Sequence, residues 1–137
     1  MECRPYLFFD GNCEEALNFY AELFKGKIAQ MTRVKDGPSE YQGDPTRASN
    51  VMHSQFESPS VSFNASDASG STKYGEGRIS LCLETAELAE AERIWKGLTA
   101  GAKVEMPFGD TFWGAKFGML TDRFGIDWMV NCQMRPQ

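Results

Sequence analysis

Two stretches of this 137-residue chain carry the same pattern about 75 residues apart. At an offset of 75, Ala16 matches Ala91, Phe19 matches Ile94, Tyr20 matches Trp95, Leu23 matches Leu98 and Gly26 matches Gly101. At an offset of 74, Leu7 matches Leu81 and Phe9 matches Leu83, so the run before each helix repeats as well. A repeat of this kind marks a supersecondary unit that must bury an apolar face, and it narrows the chain to two half-length modules. The expected boundaries are module one over about residues 1–66, a small polar linker over about 67–77, and module two over about 78–137.

Each module reads as strand, helix, then further strands. Pro5 to Phe9 is an apolar run stopped by Asp10-Gly11. Asn12 with Glu15 three residues on has the form of a capping box, and Ala16, Phe19, Tyr20 and Leu23 recur at helical spacing before Lys25-Gly26. Lys27 to Val34 predicts a strand, and the breaker-rich stretch to Ser49 predicts a mobile loop. Val51–Phe56 and Ser60–Ala65 predict a hairpin around Glu57-Ser58-Pro59, followed by the linker Ser66–Gly77. Module two restarts with a strand at Arg78–Glu84 and a helix capped by Thr85 that carries Leu88, Ala91, Ile94, Trp95 and Leu98. After it come Ala102–Met106, a loop over Pro107–Trp113, a strand over Ala115–Thr121, the turn Asp122–Gly125 and a last strand over Ile126–Cys132. The fold class is α+β, built of two βαβββ modules.

Strand alternation sorts the side chains onto two faces. Leu7, Phe9, Val61, Phe63, Ala65, Ile79, Leu81, Leu83, Trp128, Val130 and Cys132 form an apolar register that belongs against the helices. The other register holds Tyr6, Phe8, Ser62, Asn64, Ser80, Cys82, Asp127, Met129 and Asn131, too polar for a dry core, and it predicts a partly wet small-molecule cavity. Candidate lining residues are Tyr6, Phe8, Asn64, Ser80, Cys82 and Met129, joined by Asp110, Phe112 and Trp113 from the loop, where one carboxylate sits beside two aromatic rings. His53 is the sole histidine and the candidate catalytic base; the competing reading is a hydrogen-bonded strand histidine. Cys82 reads either as a thiol in the cavity or as a small hydrophobe.

Composition narrows the partners. Nineteen acidic against fourteen basic residues give a net charge of −5, which argues against a phosphate-neutralising surface and hence against nucleic acid. No long apolar run suggests a membrane span, and the N-terminal Met-Glu-Cys-Arg-Pro lacks the character of a signal peptide, so a cytoplasmic protein is expected. Cys3, Cys13, Cys82 and Cys132 show no paired spacing with each other or with histidine, which excludes zinc-finger and thioredoxin-like sites. No Gly-x-Ser-x-Gly, phosphate-binding loop or glycine-rich strand-to-helix turn for a nucleotide-like methyl donor is present.

Several motifs carry a family resemblance along nearly the whole chain: Pro5–Phe9 with Gly11-Asn12-Cys13 and Glu15-Ala16, Phe19-Tyr20, Met52-His53, Asp67, Asp110–Gly114, Phe117-Gly118, and Thr121–Gly125 with Trp128–Asn131. In these the chain resembles the PhnB-like branch of the vicinal oxygen chelate superfamily, the group of glyoxalase I, bleomycin-resistance proteins and extradiol dioxygenases. The resemblance implies a cup-shaped mixed sheet, a homodimer, and a divalent metal held by His, Gln or Glu on cup-facing strand positions. In this chain those positions fall on Tyr6, on Ile79 or Ser80, and on Met129, which are poor ligands for such a cation. The expectation is therefore a small-molecule binding protein with no cofactor; whether it is also an enzyme is left open. The alternative is a divalent-metal-dependent lyase, isomerase or dioxygenase of glyoxalase type, with His53, Asp67 or Asp110 as ligands.

Overall fold

The alternation around Leu7 and Phe9 folds as the first strand of a mixed sheet in a computed structural model that describes residues 4–68, 79–112 and 114–134. The chain divides into two units, Met1–Lys73 and Tyr74–Gln137. Unit one runs β1 (Tyr6–Phe9), α1 (Cys13–Phe24), β2 (Lys27–Arg33), β3 (Val51–Glu57) and β4 (Phe63–Asp67). Its sheet has the order β1-β4-β3-β2, with β1 and β4 parallel and the other pairs antiparallel. Unit two runs β5 (Leu81–Thr85), α2 (Leu88–Leu98), β6 (Lys103–Asp110), β7 (Ala115–Thr121) and β8 (Asp127–Gln133). Its order, β5-β8-β7-β6, and its pairing directions are the same, so the sequence repeat is a repeat of topology.

In unit one α1 buries Cys13, Ala16, Leu17, Tyr20, Leu23 and Phe24. Tyr20 meets the Phe63 ring edge-on at 5.9 Å, and Phe63 stacks on Phe56 at 4.8 Å. Leu17 and Phe24 thus take part of the face expected of Phe19, which is only half-buried. The helix ends on Lys25 in the left-handed conformation, and Gly26 follows because the hairpin leaves no room for more: a Cβ there would sit 2.6 Å from the Glu57 carbonyl oxygen. In unit two Ala91, Ile94 and Leu98 are buried, as are Leu120, Trp128, Val130 and Cys132 of the sheet. Trp95 stacks on Phe108 at 5.7 Å above Gly118, where a Cβ would come within 2.7 Å of the indole.

Several local expectations give way to longer-range ones. Asn12 does not cap α1: its side chain accepts from Asp10 N, and the first helical amide, Cys13 N, donates instead to Asp67 Oδ1 at 2.9 Å. Thr85 ends β5 and accepts from the Glu87 amide at 3.0 Å, so Glu87 and not Thr85 holds the N-cap position of α2, which begins at Leu88. The stretch after β2 holds three short 3₁₀ turns, at Val34–Asp36, Ser39–Tyr41 and Pro45–Arg47. β4 continues through Ser66 and Asp67, both buried, where a linker was expected. β6 likewise continues through Pro107 to Asp110; it is an edge strand with two register irregularities, and an edge strand tolerates a residue without an amide hydrogen. Ile79, placed by alternation against the core, lies two residues ahead of β5 and is 81% exposed.

The β7–β8 turn is built on one buried carboxylate. Asp122 accepts from Phe124 N at 2.9 Å, Ile126 N at 3.0 Å and the indole Nε1 of buried Trp128 at 2.8 Å. Asp122→Ala leaves that indole donor without its partner and is expected to cost about 3 kcal/mol, a fall in Tm of roughly 10 °C. Thermal melts followed by circular dichroism measure this, and a fall of under about 2 °C would mean that the carboxylate does not hold the turn.

Candidate functional site

The face of the first sheet turned away from α1 is organised in transverse rows. Tyr6 is the register partner of Asn64, Asn64 of Gln55, and Gln55 of Gln30. One row along, Phe8 pairs with Ser66 and His53 with Thr32, and the step beyond the Ser54–Ala65 pair brings His53 alongside Ser66. In a sheet, such directly opposed residues have Cβ atoms about 5 Å apart, so each row is a line of neighbouring side chains.

Tyr6 and His53 meet on this face, with the phenol oxygen 3.0 Å from His53 Nδ1. The Tyr6 ring stacks on Phe8 at 4.8 Å and lies tilted to the imidazole at 5.8 Å. When the phenol donates to Nδ1, the neutral ring carries its own proton on Nε2, which leaves one donor free for a ligand. Tyr6 and Phe8 are 39% and 43% exposed, enough to present a flat aromatic surface to solvent. Arg4 fixes the rim: its Nε donates to Asn64 Oδ1 at 3.3 Å and its Nη2 to Glu57 Oε1 at 3.0 Å. The Ser62 hydroxyl and then the Arg4 guanidinium hold the Glu57 carboxyl below its ordinary range.

Of the residues singled out from sequence, Tyr6, Phe8, Asn64 and His53 therefore come together in unit one. Ser80, Cys82 and Met129 lie in unit two, where Cys82 and Met129 are register partners. Asp110 closes β6 opposite Lys116, and Phe112 is 97% exposed. Trp113 lies outside the described residues. Arg4, Gln30 and Gln55 escaped notice, although the two-residue spacing of Gln55 from His53 puts them on one face. A hollow of about 380 Å³ lined by Lys25, Gly26, Lys27, Glu57, Ser58 and Pro59 contains none of the singled-out residues.

The positions at which the resemblance implies a divalent metal carry poor donors for it: a phenol already engaged by His53, a serine hydroxyl and a thioether, while Ile79 offers nothing. Asp67 spends both carboxylate oxygens on the amides of Cys13 and Val51. Among the described residues no three His, Cys, Asp or Glu side chains gather to hold an ion.

The chain matches the family described as 3-demethylubiquinone-9 3-methyltransferase over residues 1–131. It belongs to this PhnB-like family. Protein YjdN of Escherichia coli (strain K12) is 31% identical over 142 residues, covering 96% of this chain and 95% of that protein. The crystal structure of protein PA1353 from Pseudomonas aeruginosa shares 38% identity with a TM-score of 0.86, over 97% of this chain and 98% of the other. A putative 3-demethylubiquinone-9 3-methyltransferase, PhnB protein, from Bacillus cereus shares 25% identity with a TM-score of 0.82, over 96% and 99%. The fold extends to a glyoxylase/bleomycin resistance protein/dioxygenase domain from Frankia sp. EAN1pec, at 15% identity and a TM-score of 0.62 over 97% of each chain. The chain thus shares its fold with this glyoxylase/bleomycin resistance protein/dioxygenase domain.

The thiols differ in reach. Burial, with Asp67 nearby, pushes Cys13 up to about 12, which keeps it a thiol at neutral pH. Cys132 is buried, whereas Cys82 is exposed, its thiol raised by partial burial and by Glu84. In a Cys3→Ser background, Ellman's reagent is expected to titrate Cys82 in the native protein and the other two thiols only in denaturant. Native labelling of Cys13 at a rate comparable to Cys82 would contradict the packing of α1 on the sheet.

Proposed function

We propose that the protein binds a small molecule on the polar face of the first sheet, without the usual superfamily metal. The observation that carries this reading is the Tyr6–His53 contact at 3.0 Å beside the stacked Tyr6–Phe8 pair. A flat ring laid over Tyr6 and Phe8 gains about 1 kcal/mol from stacking beyond its buried area. A carbonyl or hydroxyl on its edge can meet the His53 imidazole, and Gln55 and Asn64 offer amides for further polar groups. The chemistry suits a planar ligand with hydrogen-bonding substituents. His53, oriented by the phenol, is the group able to take or give a proton if the bound molecule also reacts. Cys82, Ser80 and Met129, with Asp110, Phe112 and Trp113, are the corresponding ligand-facing candidates of unit two.

We read the protein as cytoplasmic and homodimeric. The three cysteines among the described residues are free thiols, which suits a reducing compartment. No described helix is long and apolar enough to cross a membrane.

The reading is tested by screening planar heteroaromatic compounds by thermal shift and measuring hits by calorimetry, with elemental analysis of protein purified without added metal. Tyr6→Phe and His53→Gln are expected to weaken a hit about 5- to 50-fold, the worth of one or two hydrogen bonds, with the melt unchanged within a few degrees. One tightly held divalent ion per chain, or hits indifferent to both Tyr6 and His53, would overturn it.

A further inference from the structure

The equivalent row on the second sheet is made of sulfur. Cys82 on β5 is the register partner of Met129 on β8, Met129 of Met119 on β7, and Met119 of Met106 on β6. Four neighbouring strands thus each contribute one sulfur-bearing side chain to one line across one face. Three of the chain's seven methionines stand in it. Adjacent strands are about 4.8 Å apart, and opposed Cβ atoms about 5 Å apart, so the Met129 thioether and its neighbours Cys82 and Met119 can bring their sulfur atoms together above β8. The row is also open: Cys82 is exposed, Met106 is 43% exposed, and Met119 and Met129 are half-buried. The buried face of these strands holds none of it, being filled by Trp128, Val130, Leu120 and Gly118 under Trp95.

Strand propensity does not explain the choice, because β-branched and aromatic residues suit a half-buried sheet surface better than methionine. A thiolate with thioethers is a soft donor set that selects monovalent copper over hard or borderline divalent ions, and thioethers carry no proton for the metal to displace. Glu84 lies two residues from Cys82 on the same strand and face, and adds negative charge to the site.

We propose that this face binds one Cu(I) through the Cys82 thiolate and the thioethers of Met129 and Met119. Cys82 loses its thiol proton to solvent as the copper–sulfur bond forms; the metal stays Cu(I) and no electron is transferred. The proposal is independent of ligand binding around Tyr6 and His53, which lie in the other unit.

The test is an anaerobic titration of the reduced full chain with Cu(I) against bathocuproine disulfonate, with X-ray absorption at the copper edge. One Cu(I) per chain in a sulfur-only shell is expected. Cys82→Ser should lower affinity at least about 100-fold and Met129→Leu or Met119→Leu about tenfold each, while Met31→Leu, Met52→Leu and Cys3→Ser leave it unchanged. The methionine methyl resonances of the unmutated protein give a second reading: Met119 and Met129 should shift on adding Cu(I) while Met31 and Met52 stay in place. Affinity indifferent to Cys82, a Cys82-dependent site indifferent to both methionines, a shell containing nitrogen or oxygen, or still Met119 and Met129 methyls would each overturn the proposal.

Discussion

Unit one depends on a single buried carboxylate. Asp67 is 8% exposed at the end of β4; one of its oxygens takes the Cys13 amide that opens α1 and the other takes the Val51 amide that opens β3, at 2.9 and 2.8 Å. An anion at a helix N-terminus is favoured by the exposed amides and the helix dipole, and here the same anion reaches a second element. β4 pairs with β1 on its other side, with Phe9 opposite Asp67. The side chain therefore sets the start of the helix and the start of β3 relative to the β1–β4 pair. His53 lies two residues along β3 from Val51 and Tyr6 three residues back along β1 from Phe9. Their meeting at 3.0 Å follows from that junction.

Because the helix side of each sheet is closed by apolar packing, chemistry is confined to the other side. The positions that the resemblance implies for a divalent ion carry phenol, hydroxyl and thioether, and of His53, Asp67 and Asp110, Asp67 gives both carboxylate oxygens to backbone amides, as Asp122 gives its own to the β7–β8 turn and an indole. A carboxylate that accepts two or three such bonds is part of the framework, and turning it toward a cation would leave those donors unmet inside the protein. Fold and activity are separable, since one scaffold can carry different side chains at its site.

Much of the fold was legible because it rests on periodicity. The spacing of Ala16, Tyr20 and Leu23, the alternation through Phe63 and Ala65, and the matching stops at Gly26 and Gly101 are local signals, and the elements lie where those signals put them. What failed was whatever a distant partner decides. Asn12 and Glu15 have the form of a cap, yet Asp67, 54 residues away, takes the amide. Pro107 reads as a breaker, yet β6 lies at a sheet edge where its missing amide hydrogen costs nothing. Ile79 continues an alternation that the strand itself does not, because pairing with β8 starts at Leu81. In the site, Tyr6 and His53 were each visible alone, but their contact depends on β4 lying between β1 and β3, which no spacing within a strand reveals.

The duplication makes the two faces directly comparable. Phe8 pairs with Ser66 as Cys82 pairs with Met129, so the row Phe8, Ser66, His53, Thr32 in unit one occupies the same topological place as Cys82, Met129, Met119, Met106 in unit two. Backbone and strand order are shared, and only the side chains differ. One row carries a ring, two hydroxyls and an imidazole, which suits directional hydrogen bonding to a neutral or polar molecule. The other carries four sulfur atoms, which suits a polarisable partner and little else. The two rows thus differ in hardness at like topological positions, which is what separate binding tasks on one repeated scaffold would require.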